Sequence, residues 1–463
     1  MSRDPVTLTL PGTTTRPQSN RLATGWLILA LASLVGAGMV VILIILARTP
    51  FVHALIPWTG SFRTALVIHV DLSVLVWFLS FAGLLASVTL GERLARWGRI
   101  PLGMALLGTG ILTFSPFLGE DAPFMNNYVP VLNNSAFFLG IGLFGGGFSL
   151  LALLALWETQ PASQRGEAGL RFGLRTALWL FFVALAILIW SGFALRGRHP
   201  QDETYFELLF WGSGHLLQFT HVQLQMLGWL WLAALAGLPA LLSKRMLLLL
   251  FALGALPALP GALIPLLHAV ESGEYRLAFT DLMIYGGGVA SVPLALLLAW
   301  SLWRPAEGGV TPRRANPSEE ARTALRNSLL LFAVGGIIGA MVQGVNVTIP
   351  AHYHGSIGSV TLVYMGLTYH ILPGLGFHPP ASRWANRQLN LYALGSLLHV
   401  IGLAWSGGHN VPRKTAGAAQ GLTTLADKIP MGIMGIGGML AVTGGILFLV
   451  LAFRSLRQGR QKL

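Results

Sequence analysis

Apolar residues occur in long runs along the whole chain, separated by short polar connections. Each run is close to the ~20 residues that an α-helix needs to cross ~30 Å of hydrocarbon. The pattern predicts an all-α, polytopic membrane protein with twelve transmembrane helices. Their predicted ranges are 22–47, 64–90, 101–118, 135–157, 174–196, 204–242, 246–270, 277–303, 326–347, 353–373, 388–406 and 430–453. The sixth is longer than one crossing requires, which predicts a tilted helix or an external start.

The polar ends of the chain bound a single predicted transmembrane domain over 21–455. Residues 1–20 are rich in Thr, Pro and Arg and are expected to form a disordered tail, and 456–463 form a short basic tail. Composition agrees with a membrane protein, since 54% of residues are hydrophobic and 10% charged, against about 25% charged in soluble domains. The chain has no cysteine, which excludes disulfides, iron–sulfur clusters and thiolate metal ligands.

Lys and Arg are concentrated in alternate connections between the predicted spans. The basic residues of these connections and of the two tails are Arg3, Arg16, Arg21, Arg93, Arg96, Arg99, Arg165, Arg171, Lys244, Arg245, Arg304, Arg313, Arg314, Arg322, Arg383, Arg387, Arg454, Arg457, Arg460 and Lys462. The positive-inside rule places these connections and both termini in the cytoplasm. Membrane topology therefore explains the net charge of +13, and we expect membrane lipid, not nucleic acid, as the partner of this surface.

Histidine is the main ionisable residue within the predicted spans. Those at membrane depth are His69, His215, His221, His268, His352, His354, His370 and His399. Ionisable side chains in membrane spans are costly and indicate function. The predicted topology places five of them, on four helices, in the external third of the bilayer: His69, His215, His268, His352 and His354. Because imidazole is a common ligand of iron and copper, these histidines predict haem within the helix bundle.

His352 and His354 form the most informative pair. Two residues on a helix are separated by about 200°, so the two imidazoles are expected to point to opposite sides. One helix could then ligate two haems. The alternative for any single one of these residues is a hydrogen-bonded histidine that only joins helices.

Three segments carry a resemblance to a known family. RTALVIHVDLSVLVWFLSF (63–81), WGSGHLLQFTHVQLQMLGWLWL (211–232) and PAHYHGSIGSVTLVYMGLTYHILP (350–373) resemble the second, sixth and tenth helices of the haem–copper oxidase superfamily catalytic subunit. Within that superfamily the chain is most similar to the large subunit of bacterial nitric oxide reductase. The resemblance covers essentially the whole chain and implies a subunit I-like bundle of twelve helices.

The resemblance implies two haems and one non-haem metal. His69 and His354 match the axial ligands of the low-spin haem, and His352 matches the axial ligand of the high-spin, catalytic haem. His215 matches the first ligand of a non-haem iron or copper, and His268 matches another.

The non-haem metal site departs from the family pattern. Ala269 follows His268, where the family has a second histidine. Phe219 occupies the position of a glutamate in nitric oxide reductases, and neither Phe219 nor Ala262 can supply the tyrosine of oxygen-reducing members. His221 is a candidate third ligand, but it follows His215 by six residues, about 240° around an ideal helix, and would need a distorted turn. A site with no second metal is the alternative.

These features predict a respiratory membrane oxidoreductase. Electrons are expected to pass from the low-spin haem to the high-spin haem and non-haem metal site. Nitric oxide is the expected substrate, because the cytoplasmic halves of the spans lack channel acids, and the candidates Asp71, Glu207 and Asp281 lie towards the external side. One alternative is an oxygen-reducing terminal oxidase. Another is a catalytically degenerate paralogue that transfers electrons or senses gas.

The electron donor is expected to be separate from this chain. The sequence contains no haem c attachment motif and no soluble copper domain. A donor subunit, a cytochrome c, a cupredoxin or a quinol could fill this role. The predicted location is an energy-transducing membrane, the bacterial inner (cytoplasmic) membrane.

Overall fold

The computed structural model is almost entirely helical. It describes residues 17–52, 61–119, 122–158, 165–198, 201–239, 242–303 and 317–459. Its secondary structure, in chain order, is α1 (Pro17–Arg48), α2 (Phe62–Val70), a π-helical segment (Asp71–Val76), α3 (Trp77–Thr89), α4 (Glu92–Trp97), α5 (Arg99–Phe114), β1 (Pro123–Phe124), β2 (Val131–Leu132), α6 (Ser135–Trp157), α7 (Arg165–Leu195), α8 (Glu203–Leu235), α9 (Lys244–Ala255), α10 (Ala258–Leu267), α11 (Gly273–Gly286), α12 (Ser291–Trp303), α13 (Glu319–Ala340), α14 (Thr348–Gly374), α15 (Ser382–Gly408) and α16 (Leu425–Arg457), with 3₁₀ turns at Ser115–Phe117 and Gly417–Gln420.

Ten helical spans are long and apolar enough to cross a membrane, counted over the residues that the structure describes. The predicted sixth and tenth spans are also helical, as α8 and α14, with 33 and 27 residues. They fall outside the ten because histidines, amides, hydroxyls and glycines lower their hydropathy. The chain is therefore a multi-pass helical membrane protein, and the number twelve stays a prediction.

Several helix boundaries follow from local sequence signals. Asn134 begins α6 by accepting a hydrogen bond from the Phe137 amide, and Thr424 forms a capping box with Asp427 at the start of α16. The predicted sixth span, 204–242, is too long. Its helix ends at Leu235 because Gly237 adopts a positive φ of 69° and terminates it.

The predicted seventh and eighth spans are each divided into two helices. Pro257 lies between α9 and α10, where its ring fixes φ and removes a backbone donor. The run Gly286, Gly287 and Gly288 lies at the junction of α11 and α12. The first helix begins at Pro17, inside the predicted N-terminal tail, and residues 1–16 of that tail lie outside the described residues.

The chain divides into two compact units. The first comprises Met1–Ala30 and Leu75–Ala315, and the second comprises Leu31–Val74 and Asn316–Leu463. In the first unit α5 packs against α6, and α7 packs against α8 and α9. In the second unit α15 packs against α14 and α16, and α13 packs against α14 and α15. The prediction of one transmembrane domain over 21–455 is not tested by this division.

Close approach of α15 and α16 depends on glycine. A Cβ atom at Gly444 would lie 2.7 Å from the Tyr392 backbone nitrogen, whereas a Cβ atom at the next residue, Gly445, would meet nothing within 4 Å. Small residues at such contacts let membrane helices pack with their backbones close together.

Gly444→Ala is expected to lower the thermal unfolding midpoint of the purified protein in detergent. Overpacking against backbone costs roughly 1–3 kcal/mol. Gly445→Ala is the matched control and should be neutral or stabilising by up to about 1 kcal/mol, because alanine favours the helix. Equal shifts for the two variants would contradict this packing.

Candidate functional site

Three imidazoles lie together in the second unit. His69 is on α2, His354 on α14 and His399 on α15. The His354 and His399 rings lie 4.9 Å apart with an angle of 52° between their planes. His69 lies within electrostatic range of both. The second unit therefore holds both histidines predicted to share the low-spin haem, and His399 contacts one of them.

Each predicted haem ligand has one ring nitrogen bonded to a backbone carbonyl. Nδ1 of His69 lies 3.3 Å from the Ala37 carbonyl oxygen, and Nδ1 of His354 lies 2.7 Å from that of Pro350. A carbonyl can only accept, so Nδ1–H donates and Nε2 keeps its lone pair for a metal. Metal-binding histidines in proteins almost always have such a partner on the second nitrogen.

His352 has the same arrangement on another side of α14. Its Nδ1 donates to the Gly335 carbonyl of α13 at 2.8 Å, and a Cβ atom at Gly339 would overlap its ring. His354 instead contacts α15 through His399. The two histidines of one helix therefore contact different neighbouring helices, and the expectation that they point to opposite sides stays a prediction.

A half-buried arginine near His354 was not singled out from the sequence. Arg48 ends α1, and its Nη2 atom is buried with no hydrogen-bond partner. Its Nε donates to Gln420 at 3.5 Å. Arg48 and Arg413 both lie within electrostatic range of Tyr353, the residue between the two histidines. Buried guanidinium donors suit a carboxylate, such as a haem propionate.

The π-helical segment Asp71–Val76 begins two residues after His69. Single π-helical turns inside α-helices occur frequently at functional sites. The Asp71 side chain is 1% exposed, and its Oδ2 atom has no hydrogen-bond partner. The sequence identified Asp71 as a candidate acid. The hydrophobic periodicity did not predict that the helix changes from α to π at this residue.

In the first unit His215 lies among three aromatic rings. The Tyr128, Trp211 and Phe279 ring centroids are 4.8, 4.9 and 6.0 Å from that of His215. Nδ1 of His215 donates to the Trp211 carbonyl at 2.7 Å, which leaves Nε2 available. A side chain at Gly214 would overlap the Tyr128 ring. Glycine before His215 is thus required by this aromatic contact.

Tyr128 is held in place by a contact between its loop and α8. The Asn127 amide donates to the Glu207 carboxylate at 2.8 Å, and the Asn127 side-chain amide donates to the same group. Burial, together with the nearby Glu207 charge, raises the pKa of Tyr128, so the phenol stays protonated. Nothing in the spacing of Tyr128, which lies far from α8 in the chain, predicted this contact.

His221 and His268 do not join His215 in a three-ligand cluster. His221 is 4% exposed, its Nδ1 has no hydrogen-bond partner, and its ring packs edge-on against Phe78 at 5.0 Å. His268 lies just beyond the end of α10. Helix α8 is regular from Glu203 to Leu235 and lacks the distorted turn that the expected ligand set requires. Within the described ranges, no group of three His, Asp or Glu side chains could hold a metal.

Comparison with known proteins gives distant relatives over most of the chain. No protein-family model matches it. An uncharacterised protein of Rickettsia prowazekii is 27% identical over 505 residues, covering 96% of this chain and 97% of the relative. An uncharacterised protein of Aquifex aeolicus is 28% identical over 356 residues, covering 76% of this chain and 85% of the relative. Cytochrome c oxidase subunit 1 of Thermus thermophilus is 26% identical over 468 residues, covering 89% of this chain and 79% of the relative. The chain is thus distantly similar to an oxidase subunit over most of its length.

Proposed function

We propose that this chain is the haem-binding subunit of a respiratory membrane oxidoreductase of the nitric oxide reductase type. One observation carries the proposal. His69, His215, His352 and His354, the ligands that the three helix segments imply, all have Nδ1 bonded to a backbone carbonyl. The shared arrangement leaves the Nε2 atom of each histidine available to a metal. His399 has the same arrangement with the Met434 carbonyl, and only the resemblance of the helix segments distinguishes the four proposed ligands from it.

His69 and His354 are the proposed axial ligands of a low-spin haem, and His352 is the proposed axial ligand of a second, high-spin haem. Bound haem supplies the one-electron chemistry. The residues of this chain fix the ligand tautomers through Ala37 and Pro350, while Arg48 offers a guanidinium with a buried Nη2 donor to a propionate. Electrons would come from a separate donor subunit, a cytochrome c, a cupredoxin or a quinol.

The residues around His215 support a dry site for a small gas. Tyr128, Trp211 and Phe279 surround the imidazole with aromatic surface, which excludes water and strengthens electrostatic interactions inside. Phe219 is 1% exposed within an apolar cluster, so this position supplies neither carboxylate nor phenol. His215 remains the proposed first ligand of a non-haem iron or copper because the resemblance of its helix segment implies this role and its Nε2 is available.

Gas consumption by the purified full-length protein with an artificial electron donor tests this proposal. We expect anaerobic loss of nitric oxide with formation of nitrous oxide, and slower consumption of oxygen. His215→Ala should reduce nitric oxide turnover, whereas His370→Ala, whose Nε2 lies 3.0 Å from the Ser318 hydroxyl, serves as the control. Faster reduction of oxygen to water than of nitric oxide would favour the terminal-oxidase alternative.

A second candidate function follows from the separation of His215, His221 and His268. If these side chains hold no metal, the chain would bind haem for electron transfer or gas sensing without turnover. Haem in the purified protein, with reduction of neither gas, would favour this function.

A further inference from the structure

His399 lies against a proposed haem ligand, yet neither the sequence motifs nor the proposed function uses it. Its ring centroid is 4.9 Å from that of His354, at an angle of 52°. Its Nδ1 lies 3.0 Å from the Met434 carbonyl oxygen of α16, to which it donates. The imidazole of His399 is therefore hydrogen-bonded to α16 and contacts His354 of α14.

Two glycines of α16 pack against His399. A Cβ atom at Gly437 would overlap the backbone nitrogen of His399, and one at Gly438 would lie 3.1 Å from its Nδ1 atom. The helix can approach His399 this closely only because both positions lack a side chain. The Met434 carbonyl and the glycine pair together fix where the His399 ring lies.

The His354 ring has two other restraints. Its Nδ1 donates to the Pro350 carbonyl at 2.7 Å, and the Tyr353 ring stacks on it at 5.1 Å with an angle of 27°. Both restraints come from α14 itself, and neither holds the His354 ring from a neighbouring helix. Contact with a second, anchored ring adds such a restraint, as outer contacts of metal ligands commonly do.

We propose that His399 is a positioning residue that fixes the plane of the His354 imidazole and thereby tunes the low-spin haem. The inference rests on the proposed function, because it requires His354 to ligate haem. His399 itself does not ligate the haem in this scheme. The alternative is a packed histidine that only joins α15 to α16.

Electron paramagnetic resonance of the oxidised, full-length protein tests this role, because the low-spin ferric signal depends on the angle between the two axial imidazole planes. We expect His399→Ala to shift and broaden this signal and to change the midpoint potential, with the haem retained. His399→Phe keeps a ring against His354 and should shift the signal less. Gly438→Ala should move the His399 ring slightly, because its Cβ atom would lie 3.1 Å from Nδ1, and should shift the signal by less than His399→Ala.

The control is His370→Ala, on the same helix as His354 but bonded to Ser318. It should leave the signal unchanged. Wild-type signal and potential in His399→Ala would overturn the inference, as would loss of haem from both His399 variants, which would indicate a structural role. Absence of haem from the wild-type protein would instead overturn the proposed function.

Discussion

His354→Ala is expected to remove one of two haems from the purified protein and to abolish the low-spin spectrum. A low-spin haem needs two strong axial ligands, and the variant retains only one of the two proposed ligands, His69. His69 and His354 both have Nδ1 bonded to a backbone carbonyl and an available Nε2. Haem per chain and the reduced-minus-oxidised spectrum measure the effect.

Two further variants make this test specific. His370→Ala alters the same helix but should leave both haems in place, because His370 bonds to Ser318. The double variant His354→Ala/His399→Ala checks that the neighbouring imidazole does not replace the lost ligand. A normal low-spin spectrum in the double variant would contradict the assignment of His354.

His352→Ala is expected to lower gas reduction by more than about 100-fold while the low-spin spectrum persists. Loss of an outer partner of a metal ligand already costs roughly 10–100-fold, so loss of the ligand itself should cost more. His352 contacts α13 and His354 contacts α15, so the low-spin site should survive. Turnover assays and haem analysis of the same preparation separate the two effects.

The control for His352→Ala is His378→Ala, which lies in the connection after α14. This variant should keep both its haems and its turnover. Near-normal turnover in His352→Ala would contradict the proposed role of His352 at the catalytic haem.

Most of the helices could be predicted from the sequence because they lie in long runs dominated by apolar residues. The range predicted as 135–157 matches α6 residue for residue. The errors occurred where local chemistry overrides hydropathy. Gly237 ends α8 early, and Pro257 divides the seventh span into two helices. Both residues are visible in the sequence, but an average over many apolar neighbours conceals them.

The side chains of the candidate site could be predicted only in part. The spacing of His352 and His354 predicted that their side chains leave α14 in different directions, because helix geometry determines the angle between two residues. Contacts between distant segments could not be deduced. Arg48 lies near Tyr353, and Tyr128 covers His215, only because the fold brings remote parts of the chain together.

The three-histidine metal site shows the limit of spacing arguments. Six residues on a regular helix turn His221 away from His215, and the structure keeps α8 regular. His221 then packs against Phe78 on α3. A distorted turn could not be assumed from the sequence, and the structure has none in this helix.

The most direct test of the account is optical and metal analysis of the purified full-length protein. It combines reduced-minus-oxidised spectra with haem, iron and copper per chain. The proposed ligands predict two haems, one with a low-spin bis-histidine spectrum, and one additional iron or copper if His215 binds metal. Two haems without further metal would favour the electron-transfer or sensing function. Absence of haem would contradict the central claim that these membrane histidines are haem ligands.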